Sequence, residues 1–303
     1  MISTEKTMVG LLPSRIILDP LLADWLREDI GRGDRTTTGV LSQGDRPGTA
    51  TWIAKETGVV AGLPMAKRVF ELLDSAVEVQ IQVQDGEVCQ VGQQLLSIHG
   101  PLSALLTGER VALNIVMPLS GIATATRAYA ERIADLSAQL VDTRKTTPGL
   151  RILEKYATQV GGAINHRMGL DDAVMIKENH IAAAGGIERA IAAVRETMPY
   201  PLSIEVETEN LDEVAEAVAH GADIIMLDNM SLALMGVAIA LIRAENPRIK
   251  IEASGNITLE TIRAVAETGV DYISTSAPIT RSPWLDLSMR IQAGKTSPKT
   301  LAL

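Results

Sequence analysis

The feature that most constrains this chain is a regular alternation in its carboxyl-terminal half. Six short apolar runs, at 139–142, 173–176, 203–206, 224–227, 250–253 and 272–274, each lead into a polar or charged residue. Helical patterns lie between them at 150–160, 186–197, 211–219, 231–244 and 259–268, with Gly221, Pro247 and Gly269 where helices must stop. Strand–helix units repeated every 21 to 32 residues call for parallel strands joined by right-handed crossovers. A doubly wound open sheet and a closed barrel both satisfy that pattern. No G-x-G-x-x-G follows the first strand, so the dinucleotide-binding form of the open sheet loses its main support. A full eight-unit barrel needs at least ~200 residues, whereas 119–280 supplies 162. A shortened barrel of about six units fits better.

The first third is mixed. Positions 19–29 have helical spacing, with Leu21, Leu22, Trp25 and Leu26 on one side. A Gly- and Thr-rich loop follows, then short strands at 50–54, 77–83 and 94–98, a helix at 66–73 and a long helical stretch at 107–126. The expected fold class is therefore α/β: an N-terminal α+β domain over 1–118, and a shortened parallel α/β barrel over 119–281 that carries the site. Residues 282–303 are expected to pack back on the first domain.

Composition narrows the function. Aromatic residues are 3% of the 303, and the net charge is −9. Both disfavour nucleic acid, which needs stacking platforms or a cationic surface. An anion site must be a local concentration of cations. The single cysteine, Cys89, excludes an internal disulfide framework and a Cys-rich zinc site. No apolar run reaches the ~18 residues that cross a bilayer, the longest candidate being 232–242. Glu5, Lys6, Pro13 and Arg15 make the first residues a poor signal peptide. A cytoplasmic protein with no membrane partner is expected.

In parallel barrels the catalytic groups stand at the carboxyl ends of the strands. The six ends here present Arg144 with Lys145, then Lys177, Glu207, Asp228, Ser254 and Ser276. The first two are cationic, the next two anionic, and the last two small hydroxyls, an order that accident explains poorly. His166 and Arg167 add to the cations, which would repel one another unless a polyanion filled the space between them. Guanidinium groups pair bidentately with carboxylates and phosphates. Adjacent carboxylates suit Mg²⁺ or sugar hydroxyls. The Ser254-Gly255-Asn256 turn and Ser276-Ala277 occupy the strand ends where barrels often hold a phosphate. The residues add up to a partly carboxylate anion, a phosphorylated sugar and a divalent cation.

Other residues have plainer readings. His99 and His220 are surface or loop groups, and Met117, Met168, Met175 and Met226 fill the core. Arg32 and Arg35 flank a solvated loop. His180 orients the Lys177 loop or serves the site. Asp142 is expected to pair with Arg144 or Lys145. Two other function classes stay open on the residues alone: a Schiff-base lyase or aldolase at Lys177, and a non-catalytic binder.

The chain resembles the quinolinate phosphoribosyltransferase family along most of its length. The resemblance is carried by REDIGRGDRTT near residue 27, ETGVVAGLP near 56, GERVALNIVMPLSGIATATR from 108 and DTRKTTPGLRILEKYA from 142. It continues through GGAINHRMGL from 161, IKENHI from 176, IEVET from 204, ADIIMLDNM from 222, IEASGNIT from 251 and VDYIST from 270. It implies an N-terminal open-faced sandwich plus a shortened barrel, and a homodimer or higher oligomer in which one subunit's sandwich covers its partner's barrel. Arg110, Arg144, His166 and Arg167 match residues around the quinolinate carboxylates, Arg110 reaching a neighbouring subunit. Lys145 and Lys177 match lysines near the pyrophosphate and the reacting centre. Glu207 and Asp228 match acids that bind the ribose hydroxyls and Mg²⁺. Ser254, Gly255 and Asn256, with Thr275, Ser276 and Ala277, match the 5′-phosphate site. The reaction implied converts quinolinate and phosphoribosyl pyrophosphate to nicotinate mononucleotide, pyrophosphate and CO2, in NAD biosynthesis. A paralogue acting on another pyridine or purine-like acid is the nearest competitor. The family's S-G-G turn ends here in Asn256, its V-G-A reads Thr275-Ser276-Ala277, and Ala163 and Met117-Pro118 also depart from its pattern.

Overall fold

The computed structural model describes residues 12–293, so Glu5, Lys6 and the end of the 282–303 segment lie outside the described residues. The chain divides into two compact units, one of residues 1–124 with 283–303 and the other of 125–282. The division falls six residues beyond the 118/119 expected from sequence, inside a continuous helix over 102–132 that also contains Pro118.

The first unit contains α1 (Arg15–Ile30), α2 (Arg35–Val40), β1 (Pro47–Ala54), β2 (Gly58–Val59), α3 (Leu63–Leu73), β3 (Glu78–Ile81), β4 (Val88–Cys89), β5 (Gln94–Pro101) and the start of α4 (Leu102–Arg132). A strand from the far end of the chain, Leu287–Ala293, runs antiparallel beside β1, with Trp52 opposite Met289. β1 in turn pairs antiparallel with β5, and β5 with β3. β1 buries alternate residues, Gly48, Ala50, Trp52 and Ala54, as a half-covered sheet requires. The buried face of α3 supplies Leu63, Met65, Ala66, Val69 and Phe70. Phe70 meets Trp52 edge to face, with ring centres 6.5 Å apart. Helices on one face of an antiparallel sheet make the open-faced sandwich.

α4 is a longer apolar candidate than the 232–242 stretch singled out from the sequence. An 18-residue window within it has a mean hydropathy of 1.2, long and apolar enough to cross a membrane. Its alanines, glycines and threonines lengthen the apolar character without forming a continuous apolar run. Packing absorbs that character: Leu105, Ala112, Leu113, Val116, Leu119 and Ala123 are buried. Its hydroxyls work inward too, Ser120 Oγ accepting the Ala61 N–H at 3.0 Å and Thr124 Oγ1 the Val59 N–H at 2.8 Å.

The second unit contains β6 (Gln139–Val141), α5 (Arg151–Gly161), β7 (Val174–Ile176), α6 (Glu178–Ala184), α7 (Ile187–Thr197), β8 (Ile204–Thr208), α8 (Leu211–Ala219), β9 (Ile224–Asp228), α9 (Leu232–Glu245), β10 (Lys250–Ser254), α10 (Ile262–Ala266), β11 (Tyr272–Ser274) and α11 (Ala277–Thr280); the strand at Leu287–Ala293 is β12. The six strands run β6-β11-β10-β9-β8-β7 in one parallel sheet. Strands consecutive in sequence are neighbours, except that the first, β6, lies beside the last, β11. A doubly wound sheet would instead place its first strand inside. Beyond β6 a further parallel bridge joins Val141 to Ile164, carrying the sheet around towards β7. Between those two edges, Arg167 Nη1 donates to the Ala173 carbonyl at 2.8 Å. The six-unit parallel barrel is thus the observed architecture. Its wall is aliphatic: Ile176, Ile204, Val206, Ile225, Leu227, Ile251, Ala253 and Ile273 are buried in one cluster with the inner faces of α7, α8 and α9.

Candidate active site

The carboxyl ends of the six strands surround a cavity of about 410 Å³ lined by Thr143, Arg144, Lys145, His166, Arg167, Met175, Lys177, Glu207, Met226, Asp228, Glu252, Ser254 and Ser274. Seven charged residues chosen from sequence, Arg144, Lys145, His166, Arg167, Lys177, Glu207 and Asp228, come together there. Met175 and Met226, read as core fillers, also face the cavity. Sequence reasoning missed Thr143, Ser274 and Glu252; Glu252 stands two residues before Ser254, and β-strand alternation puts both on one face.

Asp142, the residue just after β6, organises the cationic side. Its Oδ1 accepts Lys155 Nζ and the His166 N–H, while Oδ2 accepts Thr158 Oγ1 and Asn165 Nδ2. Lys155 Nζ also donates to the His166 carbonyl at 2.8 Å. Burial lowers the lysine pKa, and the Asp142 charge opposes that shift. These bonds clamp the 165–167 turn to β6 and α5, placing Arg167 near Arg144, which follows Asp142 by two residues. The sequence expectation that Asp142 pairs with Arg144 or Lys145 is therefore corrected. Its ionic partner is Lys155, thirteen residues on, because α5 turns that side chain inward.

Arg144 and Arg167 make an unusual pair of like charges. Arg144 Nε is buried and meets no acceptor in the protein. The Arg167 pKa is lowered by burial first and by the Arg144 charge second. A buried donor without an acceptor is costly unless an anion completes it. His166 has both ring nitrogens engaged within the protein. Nδ1 accepts the Arg167 N–H at 2.7 Å, and Nε2 lies 3.2 Å from Glu205 and 3.7 Å from Glu252. Burial acts to lower its pKa, but Glu205 and Glu252 outweigh that and raise it.

Where the cations adjoin the carboxylates, Lys177 is bonded to Glu207. Its backbone N–H donates to His180 Nδ1 at 3.0 Å, so His180 orients the Lys177 loop. Asp228 accepts from Asn229 Nδ2 at 2.6 Å. Asn229 also locks the Ser254-Gly255-Asn256 turn: its N–H donates to the Ser254 carbonyl, and its Oδ1 accepts Asn256 Nδ2. Gly255 has φ +99°, and a Cβ there would lie 2.2 Å from Asn229 Oδ1, so only glycine fits. Thr275 Oγ1 donates to the Ile257 carbonyl and accepts the Ala277 N–H, holding the two turns side by side. Of these six turn residues only Ser254 lines the cavity. Ser276, where the family pattern has glycine, has φ −90°, a conformation open to any residue. Arg110 belongs to the first unit, where it lines a separate cavity of about 310 Å³ with Asp29, Asp34, Arg35 and Thr107.

A parallel α/β barrel with cations on one side of its mouth, carboxylates on the other and hydroxyls between them is an enzyme built for a multiply anionic substrate. Comparison with known proteins specifies which one. The model for the quinolinate phosphoribosyl transferase C-terminal domain matches residues 122–290, and the model for the N-terminal domain matches 34–120. The chain is 59% identical over 288 residues to a probable nicotinate-nucleotide pyrophosphorylase (carboxylating) of Synechocystis sp., covering 95% of this chain and 97% of that one. It is 36% identical to the human nicotinate-nucleotide pyrophosphorylase (carboxylating), covering 96% and 97%. The crystal structure of NadC from Streptococcus pyogenes, 43% identical, superposes with a TM-score of 0.89 over 94% of this chain and 100% of that one. The chain belongs to the quinolinate phosphoribosyltransferase family, and it is a phosphoribosyl-transferring enzyme.

Proposed function

We propose that this cavity joins quinolinate to phosphoribosyl pyrophosphate and yields nicotinate mononucleotide, pyrophosphate and CO2. The observation that carries the reading is the Arg144–Arg167 pair, two guanidinium groups lining one cavity and close enough to act on each other's charge, one with a buried N–H lacking an acceptor. A dicarboxylate satisfies both, whereas a monoacid would leave one unpaired. Arg144 and Arg167 grip the carboxylates, and His166 acts through Arg167, whose backbone it holds. The pyridine nitrogen then attacks C1 of the ribose as pyrophosphate leaves. Lys145 and Lys177 stabilise the departing charge. Glu207 and Asp228 hold the ribose hydroxyls and counter the positive character that develops on the ring. The turns at Ser254, Gly255 and Asn256 and at Thr275, Ser276 and Ala277 receive the 5′-phosphate. Alkylated nitrogen makes the pyridine cationic, which steadies the carbanion left by the departing carboxylate.

Glu207 and Asp228 are the residues that would hold Mg²⁺. They offer oxygen only, from the ends of two adjacent strands beside an open cavity, the donor set a hard cation completes with water and phosphate oxygens. Bound there, the ion would neutralise charge on the pyrophosphate. The chain acts as a homodimer in this reading, with Arg110 serving a neighbouring copy's cavity, and a cytoplasmic setting accords with its single buried thiol, Cys89. The Schiff-base alternative is disfavoured because Lys177 is tied to Glu207, and a paired ammonium has no lone pair for a carbonyl.

The test is nicotinate mononucleotide formation from quinolinate against nicotinate, with and without Mg²⁺. Product from quinolinate alone, dependent on Mg²⁺, is expected; equal use of nicotinate would remove the diacid reading. Mixing Arg110→Ala chains with Lys177→Ala chains should restore activity to the inactive parents if sites are shared between copies.

A further inference from the structure

We propose that Glu252 is the acid that protonates C2 of the pyridine ring when the carboxylate leaves it as CO2. This rests on the reaction proposed above and adds a residue that the strand-end pattern did not mark. Glu252 projects from β10 at the floor of the catalytic cavity and is only 3% exposed. The same side chain lines a second cavity of about 260 Å³, together with Ser203, Glu205, Ile224 and Tyr272. Those residues stand at or just before the starting ends of β8, β9 and β11, so the second cavity lies behind the first, with Glu252, His166 and Arg167 in the partition.

Glu252 has the means to carry a proton there. Its Oε1 is buried with no hydrogen-bond partner, and its other oxygen lies 3.7 Å from His166 Nε2. The groups facing it are the Glu205 carboxylate from β8, His166 from the 165–167 turn, Lys177 beyond β7 and the Ser274 hydroxyl on β11; Tyr272 lies further along the second cavity. Burial, with the Glu205 charge added, pushes Glu252 up to about 7. His166, Glu205 and Glu252 bring possible metal-ligating atoms within 4.8 Å of one another. The ring proton decides against a metal there. Nδ1 accepts the Arg167 N–H, so the neutral imidazole carries its proton on Nε2, pointing at the carboxylates rather than leaving a lone pair for a cation.

The step balances. The bond from C2 to its carboxylate breaks, CO2 departs, and the electron pair stays on C2. C2 then takes the Glu252 proton, and the resulting carboxylate regains one from solvent through the second cavity, so each turnover consumes one proton. Without an acid in place, the carbanion recombines with trapped CO2, and net decarboxylation slows.

The experiment compares CO2 and pyrophosphate release in single turnovers of wild type and Glu252→Gln, with both substrates and Mg²⁺ present. The expected result is CO2 release slowed about 10²-fold, the scale of one positioned acid, while pyrophosphate release stays within about threefold. Wild-type CO2 release should also fall as pH rises through about 7, a limb absent from Glu252→Gln and restored by Glu252→Asp. CO2 release at the wild-type rate in Glu252→Gln overturns the proposal. So does a parallel slowing of both products, which would make Glu252 a binding or structural group. If Glu252→Gln does not fold, Glu252→Ala, which also leaves no acid in place, is read in the same assay, where a wild-type ratio of the two products is overturning. A wild type that releases no CO2 from quinolinate would instead remove the reaction itself.

Discussion

Asp142 and Lys155 meet inside the barrel unit with about 1% of either side chain exposed, and their union fixes the turn that carries His166 and Arg167. Removing one partner of a buried pair leaves the other charge stranded, at a cost of about 3–5 kcal/mol. Lys155→Met should therefore lower stability by roughly that amount. It should also raise the KM for quinolinate, because the His166 carbonyl loses its lysine donor. Lys155→Met combined with Asp142→Asn should recover part of the stability but not the KM. Denaturant unfolding and initial rates on the four chains of this cycle check both statements. Additive losses in stability would mean that the two residues do not act as a pair.

Arg144 is expected to act on the diacid directly. Arg144→Ala should lower kcat/KM for quinolinate by about 10²-fold or more, the scale of one lost transition-state donor. Arg144→Lys should not restore it, since an ammonium cannot reproduce a planar fork. Steady-state kinetics with quinolinate varied at saturating phosphoribosyl pyrophosphate decide this. A value near wild type for Arg144→Ala would place the carboxylates elsewhere.

The barrel was legible because its cause is local. Each strand is an apolar run that must end in something polar, and each helix carries its own stop. The periodicity therefore located β6 to β11 within a residue or two, and the strand ends with them. What stayed hidden depends on contacts between distant segments. Nothing in the sequence near Asp142 points to Lys155, and nothing near Asn229 shows that it blocks any side chain at Gly255. Glu252 was passed over because it precedes the strand end, and only β-strand alternation, applied backwards from Ser254, would have turned it inward. α10 is shorter than the pattern at 259–268 suggests, spanning Ile262–Ala266. Thr258 and Thr261 bond to each other there and form a turn instead.

Asp228 should separate the two substrates. It stands at the end of β9 on the side away from the arginines, with one oxygen occupied by Asn229. Asp228→Asn keeps the size of the side chain and removes its charge, so it should raise the KM for phosphoribosyl pyrophosphate, and the Mg²⁺ concentration needed for half-maximal rate, about tenfold or more. The KM for quinolinate should change less than threefold. Equal weakening of both substrates would contradict the division of the cavity into a diacid side and a ribose side.

Stability should report the proton on Glu252 independently of catalysis. In the unfolded chain a glutamate ionises near ~4.3, whereas in the fold burial, with Glu205 beside it, moves this one to about 7. Between those values the unfolded state binds fewer protons than the folded one. The contribution of Glu252 to stability therefore falls as pH rises from about 4.3 to about 7, and is level above that. Glu252→Gln has no such proton to lose. Its melting temperature relative to wild type should thus become steadily more favourable from pH 4.5 to pH 7 and stay constant from there to pH 8.5. His166, raised by Glu205 as well as Glu252, keeps its Glu205 contact in the variant, so most of its own titration cancels in the difference. Melting curves of the two proteins in matched buffers provide the measurement. A difference that does not vary with pH would show that Glu252 is ionised in the fold throughout this range.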